Sequence, residues 1–152
     1  VTTHDIRNFV AISQDLATAG QPTEEQLRQL KADGFEVIVN LGLLDPRYCL
    51  ADEAGTVATL GMRYHHIPVS FQQPTISDYE LFRAAMLASR GRKVFVHCAM
   101  NFRVSCFTAL YGEEHLGWSR EDSDAHIRRL WQPTDVWTSF MEHARGELKA
   151  SR

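Results

Sequence analysis

Lys93-Val94-Phe95-Val96-His97-Cys98-Ala99-Met100-Asn101-Phe102-Arg103-Val104-Ser105 is the stretch from which the fold can be read. Its first five residues centre on the apolar run Val94-Phe95-Val96, rich in β-branched and aromatic side chains, the pattern of a strand buried on both faces. A short loop from Cys98 to Phe102 follows, then a helix expected from about Arg103 to Leu116 and stopped by Gly117. A strand that passes into a helix through a short loop is the building unit of an α/β fold. In such folds ligands gather at the carboxyl ends of the strands.

The rest of the chain repeats this alternation. Phe35 to Leu41 reads as a second buried strand and Met62 to Val69 as a third, with Pro68 suiting a terminus or edge. Phe9 to Ile12 reads as a short edge strand. Thr23 is placed to cap a helix, with Gln26 completing a capping box, Leu27 and Leu30 on the apolar face and Gly34 at its end. A second helix is expected from about Asp52 to Leu60, closed by Gly61. Ser77, with Glu80 three residues on, is the expected cap of a third. Its buried stripe would be Leu81, Phe82, Ala85, Met86 and Ala88, ending at Gly91. Ser119 and Asp122 open a helix carrying Ile127 and Leu130, and Thr134 or Asp135 opens a last one through Trp137, Phe140 and Met141. Strands separated by helices imply crossover connections. The expected architecture is α/β, a mainly parallel sheet flanked by helices, as a single domain over residues 1–152.

Composition narrows the function. With 152 residues, 44% of them hydrophobic and 23% charged, a chain can bury roughly 70% of its unfolded surface, so it needs no disulfide or metal staple. A net charge of −3 offers no basic excess to displace counterions from nucleic acid, so nucleic acid is not an expected partner. No apolar run reaches the ~20 residues that span a bilayer. Three cysteines, Cys49, Cys98 and Cys106, do not form a secreted disulfide framework. Val1 in first position reads as a processed or trimmed start, and the compartment stays open.

The loop after the third strong strand carries the chemistry. Amides at a helix N-terminus lack intrahelical acceptors and carry the positive end of the dipole, so they hold anions. The same field favours a thiolate, the nucleophilic form of cysteine. Arg103 adds a permanent cation whose planar fork fits two oxygens of a phosphate or sulfate. Thiolate, amide cradle and guanidinium together suit in-line attack on phosphorus. The plain alternative is a small buried hydrophobe at Cys98 and a solvated charge at Arg103.

His97-Cys98 followed closely by Arg103 and Ser105 resembles the signature loop of the cysteine-dependent protein tyrosine and dual-specificity phosphatases. The segments Ala17 to Pro22, Val37 to Leu41, His66 to Val69 and Gly117 to Ser119 look like a bacterial phosphatase-like family related to them, whose members occur alone or fused to β-lactamase-like hydrolase domains. The resemblance covers about Phe9 to Leu130. It implies a phosphatase with Cys98 as nucleophile forming a cysteinyl-phosphate. Arg103 would clamp the phosphate, and the amides of Ala99, Met100, Asn101, Phe102 and Arg103 would form the cradle. His97 would orient the loop and tune the thiol, and Ser105 would hydrogen-bond the sulfur. It implies no metal or organic cofactor. Partners would be a phosphorylated small molecule or a phosphoprotein, or free phosphate or sulfate, in a bacterial cytoplasm or periplasm.

The usual signature has five residues between Cys and Arg and a glycine in the loop, whereas here four intervene and no glycine is present. Asn101 is the best substitute at a position needing φ > 0. The shorter spacing also resembles rhodanese-like sulfurtransferases, which would carry a persulfide on Cys98. A non-catalytic anion-binding module is the third reading. The phosphatases carry a general acid about thirty residues before the cysteine, but residues 69–73 hold no Asp. Asp45, Asp52 and Asp78 are the candidates, Asp78 also being explained as a first-turn residue of a helix. Without an acid, substrates with good leaving groups would turn over best. Tyr48, Phe71 and Phe102 could wall the site, and Cys49 could form a reversible disulfide with Cys98. His65 and His66, adjacent on a strand, point to opposite faces and offer no metal-ligand spacing.

Overall fold

The computed structural model describes residues 2–150. Val1, Ser151 and Arg152 lie outside the described residues, and with them the reading of Val1 as a trimmed start. After a turn of 3-10 helix at Thr3–Asp5, the chain runs β1 (Val10–Ala11), β2 (Leu16–Ala19), α1 (Glu24–Ala32), β3 (Val37–Asn40), α2 (Glu53–Thr59), β4 (Arg63–His66), α3 (Ile76–Ala88), β5 (Val94–His97), α4 (Phe102–His115), α5 (Arg120–Arg128) and α6 (Asp135–Ala150). The strands form one sheet in the order β1-β2-β5-β3-β4. Among the described residues only the β1–β2 pair is antiparallel; β2, β5, β3 and β4 run parallel. The architecture is therefore the expected α/β one.

Strand alternation divides the core. Val37, Val39, Val94 and Val96 face one side, where they meet Phe82, Phe107, Trp137 and Phe140 from α3, α4 and α6. Ile38, Phe95, Ala17 and Ala19 face the other, against Leu27 and Leu30 of α1 and Val57 of α2. Each fully buried large side chain contributes roughly 1.5–3 kcal/mol, so the aromatic cluster on the α4 face is the heavier anchor. Period two also fixes the site. His97 continues the Phe95 side, toward α2, while Cys98 joins the α4-side core.

The caps expected at Thr23–Gln26 and Ser119–Asp122 are present as reciprocal capping boxes. Two expectations need correction. The third helix is capped by Thr75, whose box partner is Asp78, not by Ser77 with Glu80. Both pairs have the same spacing, and Thr75 directly follows Pro74, where the chain is still extended. With that start, Leu81 (59% exposed) and Ala88 face solvent, and Tyr79 takes a buried place beside Phe82, Ala85 and Met86. The other correction is β2, a central strand that sequence patterning did not single out. Leu16-Ala17-Thr18-Ala19 has small residues and only one β-branched side chain, yet all four are buried beside β5.

Candidate active site

The loop from Cys98 to Phe102 is held from outside by its carbonyls. The Cys98 carbonyl lies 3.3 Å from His97 Nδ1. Ala99 O accepts from the Gln21 amide at 3.0 Å, and Met100 O accepts from Asn8 Nδ2 at 2.8 Å. Asn101 O accepts from the Ser105 amide at 2.9 Å, and Phe102 O from Ser105 Oγ at 2.6 Å. With every carbonyl drawn outward, the amides of Ala99, Met100, Asn101 and Phe102 have no acceptor among the described residues. That is the polarity an anion requires. Gly20 permits the clamp, since a Cβ there would stand 2.5 Å from Ala99 O.

Asn101 takes the left-handed conformation, at φ 70° and ψ 6°, and is the residue before α4. Its Nδ2 donates to Asn8 O (2.8 Å) and Thr18 Oγ1 (3.1 Å), which ties the bend to the N-terminal segment and β2. Cys98 is 1% exposed. Arg103, in the first turn of α4, is 8% exposed rather than out in water, and its Nη1 donates to Val69 O at 2.8 Å. Both line a cleft of about 670 Å³ together with Ala99, Met100 and Phe102, and with Tyr48 and Phe71 as aromatic walls.

Ser105 is oriented differently from the resemblance. Its hydroxyl donates to Phe102 O and accepts from Trp131 Nε1 at 2.9 Å, so its bonds brace the loop and do not reach the Cys98 sulfur. Trp131 also stacks on Phe102, with centroids 4.7 Å apart and planes 5° from parallel. Sequence reading did not single out Trp131; the partners that tie it to the loop, Phe102 and Ser105, lie far back along the chain in α4.

Beneath the loop lies a buried polar network. His97 Nε2 is 2.7 Å from Glu53 Oε2, with both side chains almost fully enclosed. Gln21 Nε2 donates to Glu53 Oε1 at 2.7 Å. Burial works to raise the Glu53 pKa, but the His97 ring, then the Gln21 amide and Tyr64 hydroxyl, hold the carboxyl below its ordinary value. Glu53 was also missed from sequence. The one available signal was an acid just inside a helix start, which ordinarily marks dipole complementation.

Of the three candidate acids, only Asp45 lines the cleft. Arg47, bonded to it at 2.7 Å, holds its carboxyl below the usual range. Asp52 is corrected to a cap of α2, its Oδ1 accepting from the Gly55 amide at 3.0 Å, and Asp78 to the box partner of Thr75. Neither lines the cleft. Cys49 is a free, half-buried thiol and is not among the residues lining the cleft with Cys98. His66 Nε2 lies 2.7 Å from Gly42 O. Among the described residues no group of three or more His, Cys, Asp or Glu is arranged to hold a metal, and no helix is long and apolar enough to cross a membrane.

Known proteins share this fold. The family described as DSP-PTPase phosphatase fused to NAD+ kinase matches residues 4–124. A β-lactamase hydrolase-like protein of Agrobacterium fabrum is 34% identical over 92 residues, which are 59% of this chain and 21% of that protein, so the chain spans about a fifth of that relative's length. Among solved structures, a DUF442-family protein of Shewanella putrefaciens CN-32 superposes with a TM-score of 0.85 at 29% identity, covering 95% of each chain. The core catalytic domain of the PP-IP phosphatase SIW14 from S. cerevisiae shares the fold, with a TM-score of 0.76 at 15% identity, covering 90% of this chain and 85% of that one.

Proposed function

The chain belongs to the family described as DSP-PTPase phosphatase fused to NAD+ kinase, and from that premise we propose that it hydrolyses phosphomonoesters through a cysteinyl-phosphate, with residues 1–152 as the phosphatase domain. The observation that carries this reading is the orientation of the loop. The loop carbonyls are engaged elsewhere, while the amides of Ala99, Met100, Asn101 and Phe102 keep no acceptor among the described residues, next to the cleft that Cys98 and Arg103 line.

In the first step the Cys98 thiolate attacks phosphorus. An S–P bond forms, the P–O bond breaks, and the leaving oxygen departs with the bonding pair. In the second, water attacks phosphorus, the S–P bond breaks, and the thiolate is regenerated with release of phosphate. The amides and the Arg103 guanidinium, pinned to Val69 O, stabilise the equatorial oxygens in both transition states. Neither step calls for a metal or organic cofactor.

Asp45 is the cleft's carboxylate, and its bond to Arg47 favours the ionised form, which makes it a poor proton donor at neutral pH. Substrates with good leaving groups are therefore favoured, and the Tyr48, Phe71 and Phe102 wall fits an aryl group such as that of a phosphotyrosyl side chain or a small aryl phosphate.

Steady-state assays with aryl phosphates of graded leaving-group acidity, run beside thiosulfate–cyanide sulfur transfer, test the reading. The expected result is phosphate release that falls steeply as the leaving group becomes more basic, with Asp45→Asn changing kcat less than about threefold. Sulfur transfer without phosphate release would overturn it in favour of a persulfide enzyme. Tight phosphate binding without turnover would overturn it in favour of a binding module.

A further inference from the structure

The buried network under the loop does more than fill space. Among the described residues Glu53, at 5% exposure, is the one buried Asp or Glu, and both its oxygens are engaged, Oε2 by His97 and Oε1 by Gln21. The second ring nitrogen of His97, Nδ1, faces the Cys98 carbonyl. A carbonyl only accepts, and so does an ionised carboxylate, so each ring nitrogen faces an acceptor, and donating to both takes a proton on each. The ring thus spans from the nucleophile's own backbone to a buried carboxylate, for which a doubly protonated ring would be the charge partner. A buried carboxylate without such a partner would be strongly unfavourable, which gives the ring a reason to keep its second proton.

We propose that Glu53 is a positioning residue for the nucleophile: it holds His97 doubly protonated, and the ring in turn fixes the Cys98 carbonyl outward and favours the ionised sulfur. Glu53 opens α2, directly after the segment 42–52 that supplies Asp45, Arg47 and Tyr48 to the cleft. Gln21 both lines the cleft and clamps Ala99 O through its amide. The carboxylate thus joins three parts of the site, the nucleophile loop, the β2–α1 turn and the cleft wall.

The groups facing the pair are few. Glu53 comes from α2 and Tyr64 from β4, the latter's hydroxyl pushed up by burial so that it stays neutral. Cys49 interacts with Tyr64, Gln21 is uncharged, and Cys98 lies on the ring's own loop. Among the described residues no salt bridge other than Glu53's involves His97.

The test uses the intact chain and two readouts independent of turnover. Nitrogen-15 spectra of the His97 ring at neutral pH are expected to show both nitrogens protonated in the wild-type protein. A single protonated nitrogen there would overturn the proposal without recourse to any variant. The pH dependence of iodoacetamide alkylation at Cys98, resolved by peptide mass spectrometry, is then compared in wild type and Glu53→Gln. This substitution keeps the size but removes the charge and replaces one acceptor oxygen with a donor. The expected result is loss of the second ring proton and a Cys98 profile moved upward by about one pH unit, or about tenfold slower alkylation on its acid limb. A variant that melts earlier but keeps the wild-type profile would assign Glu53 a structural role only. The proposal rests on the functional reading for the identity of the nucleophile alone. A shifted profile in a protein that releases no phosphate would overturn that reading and leave this one, and the opposite pairing would do the reverse.

Discussion

Cys98 and Cys106 stand eight residues apart on the same loop and helix, and both are sealed from bulk water, at 1% and 0% exposure. Their surroundings differ in kind. Cys106 lies within α4 among Val104, Phe107 and the aromatic core, and burial pushes its thiol up to about 12. Cys98 lies where a strand ends and a helix begins, in a loop whose amides have no acceptor among the described residues, and it lines a cleft together with the buried Arg103. Low exposure makes a cysteine inert only when what encloses it is apolar. Inward dipoles and a cation around the same group are the basis of the proposed anion site.

Exchanging each sulfur for oxygen should break the pair most visibly. Cys98→Ser is expected to lower aryl-phosphate hydrolysis on the order of 10⁴-fold or more, while Cys106→Ser keeps kcat within about twofold. Steady-state kinetics with circular dichroism as a folding control checks both, and comparable losses would erase the distinction. Arg103→Lys probes the cation. A point charge replaces a planar fork that also bonds Val69 O, and kcat should fall about 10²–10³-fold with a smaller change at KM.

The smallest effect belongs to Cys106 and concerns stability. Its folded pKa is raised above the ordinary 9.0, so its contribution is fully present below about pH 9 and is lost as pH climbs toward 12. Cys106→Ala should cost about 1 kcal/mol at neutral pH through lost packing, and flatten part of the alkaline decline seen in denaturant titrations. An unchanged alkaline limb would mean that Cys106 ionises freely in the native protein.

How much of this could be read in the sequence depended on distance along the chain. The strand–loop–helix unit at Val94 to Leu116, the caps at Thr23 and Ser119, and the fitness of Asn101 for φ > 0 are local matters, and adjacent residues announce them. At Thr75 and Ser77 the local signal was ambiguous, since two boxes of equal spacing overlap, and choosing the later one rotated the apolar stripe onto Leu81 and Ala88. β2 was illegible for a different reason. Its small residues are held extended by pairing with β1 and β5 rather than by any intrinsic preference for extended structure. Glu53, Gln21 and Trp131 were illegible as site residues because each bonds a partner 26 to 44 residues away. Asp52 and Asp78 had the right chemistry and the wrong place, because both are spent on helix caps.

The central claim is that the anion site at Cys98 takes a phosphoryl group onto sulfur. Rapid acid quench during turnover of an aryl phosphate, followed by peptide mass spectrometry, tests this most directly. The account predicts one phosphoryl group on the peptide bearing Cys98, absent from the Cys106 peptide and from Cys98→Ser. Turnover with an unmodified Cys98 at every quench time, or sulfur in place of phosphoryl on that residue, would contradict it.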